Sequence, residues 1–221
     1  MSPAYFLTGT DTEIGKTFVT CALLQLARRH GLRAAGLKPI AAGTDANGQN
    51  EDVENIRAAN SVALPDEVLN PYCFAPPIAP HIAAAESGLA IDFPTIVETV
   101  DQARMQADLI IVEGAGGFCV PLGEDRGFDD LAVELGLPVL LVVGMRLGCI
   151  NHALLTAEAI ANRGLALAGW IANRIDPEMS RFEENLTALR RRLRAPLLGV
   201  VPHAPAGGPT GAASYLTLPG A

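Results

Sequence analysis

Continuous apolar runs recur along this chain, separated by polar stretches or by segments with helical spacing. These strand-like runs lie at 5–7, 33–38, 108–113, 138–144, 167–173 and 197–202. Because apolar residues follow one another in them instead of alternating with polar ones, the runs predict strands that are buried on both faces. Such strands are typical of a parallel sheet covered by helices.

Helical spacing of apolar residues fills most of the intervals. A helix is predicted after the first strand, and others at 52–60, 93–106, 151–162 and 180–194, whereas the proline-rich segment 75–80 is predicted to be irregular. The alternation indicates an α/β fold with a mostly parallel central sheet and helices on both faces. We expect a single domain over residues 1–221.

Composition narrows the class of protein. Hydrophobic residues make up 49% of the 221 residues and charged residues 18%, which indicates a substantial core. The formal net charge of −8 argues against a nucleic-acid partner. Since no basic leader and no apolar run of about 18 residues is present, a cytoplasmic protein without a membrane partner is expected. The four cysteines form no C-x-x-C pair, so we expect reduced thiols and no zinc site.

The segment Gly9–Thr17 (Gly-Thr-Asp-Thr-Glu-Ile-Gly-Lys-Thr) lies between the first strand and the first helix. This context is typical of a phosphate-binding loop, in which N–H groups at the helix start bind an anion. Lys16 is then placed to reach the β- and γ-phosphates of a nucleotide, and the Thr17 hydroxyl to bind Mg²⁺. Thr10 occupies the position of the usual first glycine, with Gly9 one residue earlier. A P-loop NTPase-like fold is predicted.

Four residues stand at the carboxyl ends of predicted strands: Lys38, Glu113, Gly144 and Asn173. Ligands of parallel sheets bind at this edge, beside the phosphate loop. Glu113, which is followed by Gly-Ala-Gly-Gly, is therefore a candidate Mg²⁺ ligand. Lys38 is a candidate for neutralising the charge of a transferring phosphoryl group.

Two further segments have more than one interpretation. Asp52 opens a predicted helix, where an acidic residue stabilises the helix start, and the sequence alone does not make it a metal ligand. Residues 148–152 (Gly-Cys-Ile-Asn-His) begin another helix, whose free N–H groups are able to bind a carboxylate. A helix cap by Asn151 explains the same residues equally well.

Together these residues resemble the dethiobiotin synthetase family of ATP-dependent cyclo-ligases. The resemblance runs in order from residue 5 to about 202, and Leu-Gly-Cys-Ile-Asn-His at 147–152 is its most specific part. The displaced first glycine is a habit of the family. The other matching segments are 5–17, 35–39, 70–72, 80–82, 112–117, 142–144 and 168–173.

The resemblance implies a homodimer that converts 7,8-diaminononanoate, CO₂ and ATP into dethiobiotin, ADP and phosphate, with Mg²⁺ as cofactor. One amine takes up CO₂ as a carbamate, the carbamate attacks the γ-phosphorus to give a carbamic-phosphoric anhydride, and the second amine closes the ring. No covalent nucleophile is needed, so positioning and charge stabilisation supply the catalysis.

The resemblance also implies roles for individual residues. Lys16 and Lys38 match the charge-stabilising lysines of the family. The metal ligands match Thr17, Asp52 and Glu113. The nucleotide contacts match Glu13, Ile14, Gly15, Lys16, Thr17, Phe18, Asp52, Glu113, Gly114, Ala115, Gly116, Asn173, Pro202, His203 and Ala204. Substrate contacts match Thr12, Lys38 and Thr44, and Gly148, Cys149, Ile150 and Asn151 match the helix start that binds the substrate carboxylate across the dimer interface.

Three departures and two alternatives accompany this interpretation. Ala42 replaces a frequent serine, Arg146 replaces a frequent lysine, and the tail after Pro202 aligns poorly.

An amidoligase such as a cobyrinate amide synthetase needs a glutamine-hydrolysing domain, for which 221 residues leave no room. A partitioning or membrane-switch ATPase carries a lysine early in the phosphate loop, and Thr10-Asp11-Thr12 contains none.

Overall fold

The computed structural model describes residues 2–220. Its strands are β1 (Ala4–Gly9), β2 (Ala34–Leu37), β3 (Ile40–Ala42), β4 (Tyr72–Phe74), β5 (Leu109–Glu113), β6 (Val139–Gly144), β7 (Leu167–Asn173) and β8 (Leu197–Val201). Its helices are α1 (Lys16–Arg29), α2 (Glu51–Ala59), α3 (Asp66–Leu69), α4 (Pro80–Glu86), α5 (Phe93–Arg104), α6 (Phe128–Leu135), α7 (Cys149–Asn162), α8 (Phe182–Arg192) and α9 (Gly208–Ala212), followed by a 3₁₀ turn at Ala213–Tyr215.

The central sheet has six parallel strands in the order β2-β5-β1-β6-β7-β8. Strand β1 lies between β5 and β6, with Leu7 opposite Glu113 and Thr8 opposite Leu141. The chain leaves β1 in one direction across the sheet and later returns past it to β6. A crevice therefore opens at the carboxyl end of β1, the usual ligand position in such sheets.

Both faces of the sheet are covered by helices, as the continuous apolar runs predicted. Along β6, Leu140 and Val142 pack into the larger core cluster, whereas Leu141 and Val143 pack into a second cluster with α7 and α8. Successive side chains of a strand point to opposite faces, so β6 has no polar face. The predicted α/β architecture with a parallel sheet is confirmed.

The predicted strands agree with the observed ones to within one residue at either end, except that β1 continues two residues beyond the predicted run 5–7. The irregular segment 75–80 is only partly confirmed, because Pro80 already forms the first residue of α4. Proline suits this position, since the first helical residue has no intrahelical use for its N–H group. The small parallel sheet of β3 and β4 is not predicted from the sequence, because its three-residue strands are too short to give a periodic signal.

Two further expectations concern the cysteine thiols and membrane-spanning helices. The four cysteines are free: Cys21 and Cys149 are buried, and Cys73 and Cys119 are exposed. Among residues 2–220, no helix combines the length and the apolar character needed to cross a bilayer.

Candidate active site

A cleft of about 1190 Å³ opens at the carboxyl ends of the central strands. It is lined by the phosphate loop (residues 9–17) and the start of α1, and also by α2 and the proline-rich segment 77–80. Ala115 and Gly116, after β5, close one end, and Pro209 and Thr210 of α9 line it as well. The volume is large enough for a nucleotide together with a second small molecule.

The phosphate loop is held in a shape that requires two close approaches. Gly15 precedes α1 with a φ of 79°, and a Cβ there would lie 2.4 Å from Asn173 Nδ2. A Cβ on Gly144 would lie 2.5 Å from Ile14 Cγ2, so the end of β6 must be glycine for Ile14 to stay buried. Asn173 Nδ2 donates a hydrogen bond of 2.8 Å to the Ile14 carbonyl oxygen. The loop is thus anchored to the ends of β6 and β7.

Lys16 points back along the loop in this structure. Its Nζ donates a hydrogen bond of 2.7 Å to the Asp11 carbonyl oxygen. The Arg146 guanidinium forms an ion pair with the Asp11 side chain, so the arginine that departs from the family pattern still contacts the loop. Burial lowers the pKa of Lys16 to about 8, although Glu113 opposes the shift. An anion at the loop will therefore stabilise the charged ammonium form.

Lys38 lies between two carboxylates at the floor of the cleft. Its Nζ is 2.6 Å from Asp52 Oδ2 and 2.8 Å from Glu113 Oε1, and the three residues are called the Lys38 cluster below. Burial alone lowers the pKa of Lys38, but attraction from Glu113 and Asp52 outweighs it, so the pKa is raised overall. The pKa of Asp52 is lowered because attraction from Lys38 outweighs the effect of burial. Lys38 is therefore held as a cation.

Glu113 is fully buried, and protein groups alone satisfy its carboxylate. Oε1 accepts hydrogen bonds from Thr17 Oγ1 at 2.6 Å and from Lys38, and Oε2 accepts one from Thr20 Oγ1 at 2.5 Å. The hard oxygen donors of Thr17, Asp52 and Glu113 fit the preferences of Mg²⁺.

The structure brings together most of the predicted nucleotide and metal residues. Thr12, Glu13, Gly15, Lys16, Thr17, Phe18, Lys38, Asp52, Ala115 and Gly116 line the cleft. Ile14 and Glu113 lie just behind this surface and are almost inaccessible to solvent. Gly114 is buried as well, where an added Cβ would lie 3.1 Å from the Phe6 ring.

Other predicted residues lie outside the cleft lining. Thr44 donates its backbone N–H to the Ala75 carbonyl oxygen at the edge of the small sheet. Residues 202–204 follow β8, with Ala204 at a φ of 44°. Residues 148–151 form the start of α7. Within residues 2–220 of one chain, these segments do not contribute to the lining.

The structure identifies the caps of the two helix starts that had more than one interpretation. Helix α7 begins at Cys149, after Gly148 at a φ of 95°, and lacks a side-chain cap. The alternative of a cap by Asn151 is therefore wrong, because Asn151 already lies in the first turn. Helix α2 is capped by Asn50, whose side chain accepts a hydrogen bond from the Val53 N–H. Asp52 is a first-turn acid, and it also contacts Lys38.

Two features of the site are not predicted from the sequence. Thr20, one turn after Thr17 on α1, holds Glu113, and its three-residue spacing from Thr17 was an available signal. The segment 77–80 forms a cleft wall because the β3 and β4 pairing brings it there. No local pattern predicts that approach. The sequence also contains only two lysines, Lys16 and Lys38, and both lie at this site.

Comparisons with known proteins agree with this geometry. A protein family described as an AAA domain matches residues 3–209. The ATP-dependent dethiobiotin synthetase BioD of Aromatoleum aromaticum is 62% identical over 98% of this chain and 98% of its own length. The MinD protein of Pyrococcus horikoshii, solved with Mg-ADP, has a TM-score of 0.56 and 17% identity over 91% of this chain and 82% of its own. A ParA family ATPase of Chlorobium tepidum has a TM-score of 0.56 and 12% identity over 92% and 85% of the two chains. These two structures share the fold, which confirms the P-loop NTPase-like prediction.

Proposed function

The chain belongs to the family of ATP-dependent dethiobiotin synthetases, and we propose that it closes the ureido ring of dethiobiotin from 7,8-diaminononanoate, CO₂ and ATP. It is an ATP-dependent ligase of this family, with ATP as co-substrate. The observation that carries the assignment of the reaction site is the Lys38 cluster, which lies on the cleft floor beside the phosphate loop.

The reaction forms and breaks bonds in three steps. A substrate amine attacks CO₂, forms a C–N bond and loses a proton, which gives a carbamate. A carbamate oxygen then attacks the γ-phosphorus of ATP, and the bond from that phosphorus to the ADP oxygen breaks. The second amine attacks the carbonyl carbon of the resulting anhydride, loses a proton and expels phosphate, which closes the ring. Negative charge moves at each step, so fixed cations supply the stabilisation.

Lys16 is proposed to bind the β- and γ-phosphates. A phosphate anion in the loop attracts the ammonium away from the Asp11 carbonyl oxygen that now holds it. The lowered pKa of about 8 makes this interaction favourable, since the buried charge gains a counter-ion when the nucleotide binds. The attraction between the Lys16 ammonium group and the transferred phosphoryl group is therefore expected to be strongest when negative charge develops on that group.

Lys38 is proposed to stabilise the carbamate and the γ-phosphoryl group. It is the side chain that reaches the cleft floor from β2, and its two carboxylate partners keep it protonated. These partners also fix its position, which reduces the reorganisation needed during the reaction.

Thr17, Asp52 and Glu113 are proposed to hold Mg²⁺, which would neutralise phosphate charge when bound. Asp52 is partly exposed and faces the cleft, whereas Glu113 is buried behind Thr17.

The substrate is proposed to lie between Thr12, Lys38 and the wall near Ala42, with Thr44 at the edge. Its distant carboxylate is assigned to the start of α7 in a second copy of the chain, since residues 148–151 lie outside the cleft of one copy. Leu147 and Leu155, beside and within α7, are 93% and 57% exposed, an unusual exposure that a homodimer interface explains.

The adenine is proposed to lie toward Asn173 and residues 202–204, at the ends of β7 and β8. Asn173 already uses its amide group to hold the Ile14 carbonyl oxygen. Its contribution to nucleotide binding is therefore expected to act largely through the shape of the loop.

The test is product formation. The purified protein, given ATP, Mg²⁺, 7,8-diaminononanoate and bicarbonate, is expected to release phosphate and to form a product with the mass of dethiobiotin. Omission of the diamine is expected to reduce phosphate release to background. Equal ATP hydrolysis with and without the diamine contradicts the proposal and favours a switch-type ATPase.

A further inference from the structure

Thr20 makes a contact that none of the roles above requires. Its hydroxyl donates a hydrogen bond of 2.5 Å to Glu113 Oε2, and both residues have no accessible surface. Among residues 2–220, Thr20 supplies the one side-chain donor to that oxygen, while Lys38 and Thr17 share Oε1. Solvent cannot replace it, because water does not reach the carboxylate.

Packing on α1 orients the Thr20 side chain. A Cβ built on Gly36 of β2 would lie 3.4 Å from Thr20 Cγ2, so the methyl group faces the neighbouring strand. Branched side chains have few χ1 rotamers in a helix, so a fixed methyl group also fixes the hydroxyl. Threonine hydroxyls in helices commonly bond to the backbone carbonyl four residues earlier. Here the hydroxyl instead reaches Glu113 on β5.

We propose that Thr20 is a positioning residue, which holds Glu113 Oε2 so that Oε1 is presented to Thr17 and Lys38 at the cleft floor. This inference rests on the proposed function only in its expected effect on the ligase reaction. The effect on Glu113 follows from the geometry, since a carboxylate held at one oxygen alone can rotate. Such rotation moves Oε1 and, through Lys38, disturbs the whole Lys38 cluster.

The test uses three variants. Thr20→Val removes the hydroxyl and nearly keeps the shape, and Thr20→Ser keeps the hydroxyl and removes the methyl group. Thr99→Val is the matched control, because Thr99 is also buried and its hydroxyl donates to the Ile96 carbonyl oxygen on α5. The dissociation constant of ADP is measured by calorimetry with excess Mg²⁺ and with EDTA, and kcat and KM are measured for the ligase reaction.

Thr20→Val is expected to weaken ADP binding with Mg²⁺ by about 10- to 100-fold, the usual effect of losing a partner of a metal-binding carboxylate. Its binding in EDTA, and that of Thr99→Val in both buffers, is expected to match wild type. Thr20→Ser is expected to restore most of the affinity. In the ligase assay Thr20→Val is expected to lower kcat and to leave KM for the diamine nearly unchanged.

Wild-type binding by Thr20→Val with Mg²⁺, or an equal loss in EDTA, overturns the proposal. So does a serine variant as weak as the valine variant. If Thr20→Val does not fold, Thr20→Ala replaces it under the same criteria, since alanine adds no bulk. A wild-type protein that binds ADP with Mg²⁺ but makes no dethiobiotin overturns the proposed reaction, and the binding comparison still decides the role of Thr20.

Discussion

The Asn173 amide donates a 2.8 Å hydrogen bond to the Ile14 carbonyl oxygen, across 159 positions of sequence. Asn173 ends β7, and Ile14 lies in the phosphate loop just before Gly15. The side chain of Asn173 is buried, so the bond forms away from competing water. The loop that binds phosphate is thereby attached to a strand two positions away in the sheet.

Replacing Asn173 by alanine is expected to destabilise the protein and to loosen the loop. The buried Ile14 carbonyl oxygen loses its partner, at a cost of about 1–3 kcal/mol in the free energy of unfolding. KM for ATP is expected to rise. The control is Asn185→Ala, because Asn185 Nδ2 donates an equally short bond of 2.8 Å to the Arg181 carbonyl oxygen on exposed α8. Urea unfolding and ATP kinetics of the two variants provide the comparison, and equal effects contradict an anchoring role.

A Gly15→Ala substitution separates backbone strain from steric contact. Gly15 and Gly48 both have a φ of 79°, so alanine is strained at either position by about 1–2 kcal/mol. Nothing lies within 4 Å of a Cβ on Gly48, whereas a Cβ on Gly15 meets Asn173 Nδ2 at 2.4 Å. Gly15→Ala is therefore expected to lose more unfolding free energy than Gly48→Ala, and to lose nucleotide affinity as well. Equal stability losses and unchanged ADP binding argue against the close approach.

Lys16→Met is expected to stop turnover and, in the nucleotide-free protein, to change the pH dependence of stability. The pKa of Lys16 is about 8 in the folded state, below its ordinary 10.5, so between these values the unfolded chain binds a proton that the folded one releases. Wild-type stability should then rise with pH relative to Lys16→Met, by roughly 3 kcal/mol in total. Below pH 8 the difference should be constant, with the variant the more stable protein. Urea unfolding of both proteins from pH 7 to 10.5 measures this, and parallel curves contradict the lowered pKa.

Glu113→Gln and Asp52→Asn are expected to differ in stability and to agree in metal dependence. Both carboxylates pair with Lys38, but only the pair with Glu113 is buried on both sides, so the neutralisation of Glu113 is expected to cost about 3–5 kcal/mol. The Asp52 side chain is 46% exposed, so its neutralisation should cost less than about 1 kcal/mol. Both variants should need more Mg²⁺ for half-maximal activity. An unchanged Mg²⁺ titration for Asp52→Asn leaves Asp52 as a helix-start acid that pairs with Lys38.

Amine-selective labelling tests the two lysines directly. Near pH 8 a substantial share of Lys16 is expected to be in the reactive neutral form, whereas the raised pKa of Lys38 keeps it charged. Trinitrobenzenesulfonate is therefore expected to modify Lys16 before Lys38, and ATP with Mg²⁺ to slow the reaction. Peptide masses identify the modified lysine. Faster modification of Lys38, or no protection by ATP, contradicts the assigned environments.

The amino-acid sequence by itself determined the parallel sheet and the phosphate loop. Continuous apolar runs define strands that are buried on both faces, and a glycine-containing loop between a strand and a helix defines an anion site. Both features depend on residues that are close together in the sequence, so the sequence pattern is enough to predict them. The ends of the same apolar runs also place Lys38 and Glu113 at the carboxyl edge of the sheet.

Tertiary structure alone decided which side chains meet there. The bonds from Thr20 to Glu113, from Asn173 to Ile14 and from Lys38 to Asp52 join residues of different elements. The order of strands in the sheet, with β1 between β5 and β6, sets these distances. A hydrogen bond needs its two atoms to lie about 3 Å apart in space. A sequence pattern predicts which face or end of an element a residue occupies, but not which residue of another element lies next to it in the fold.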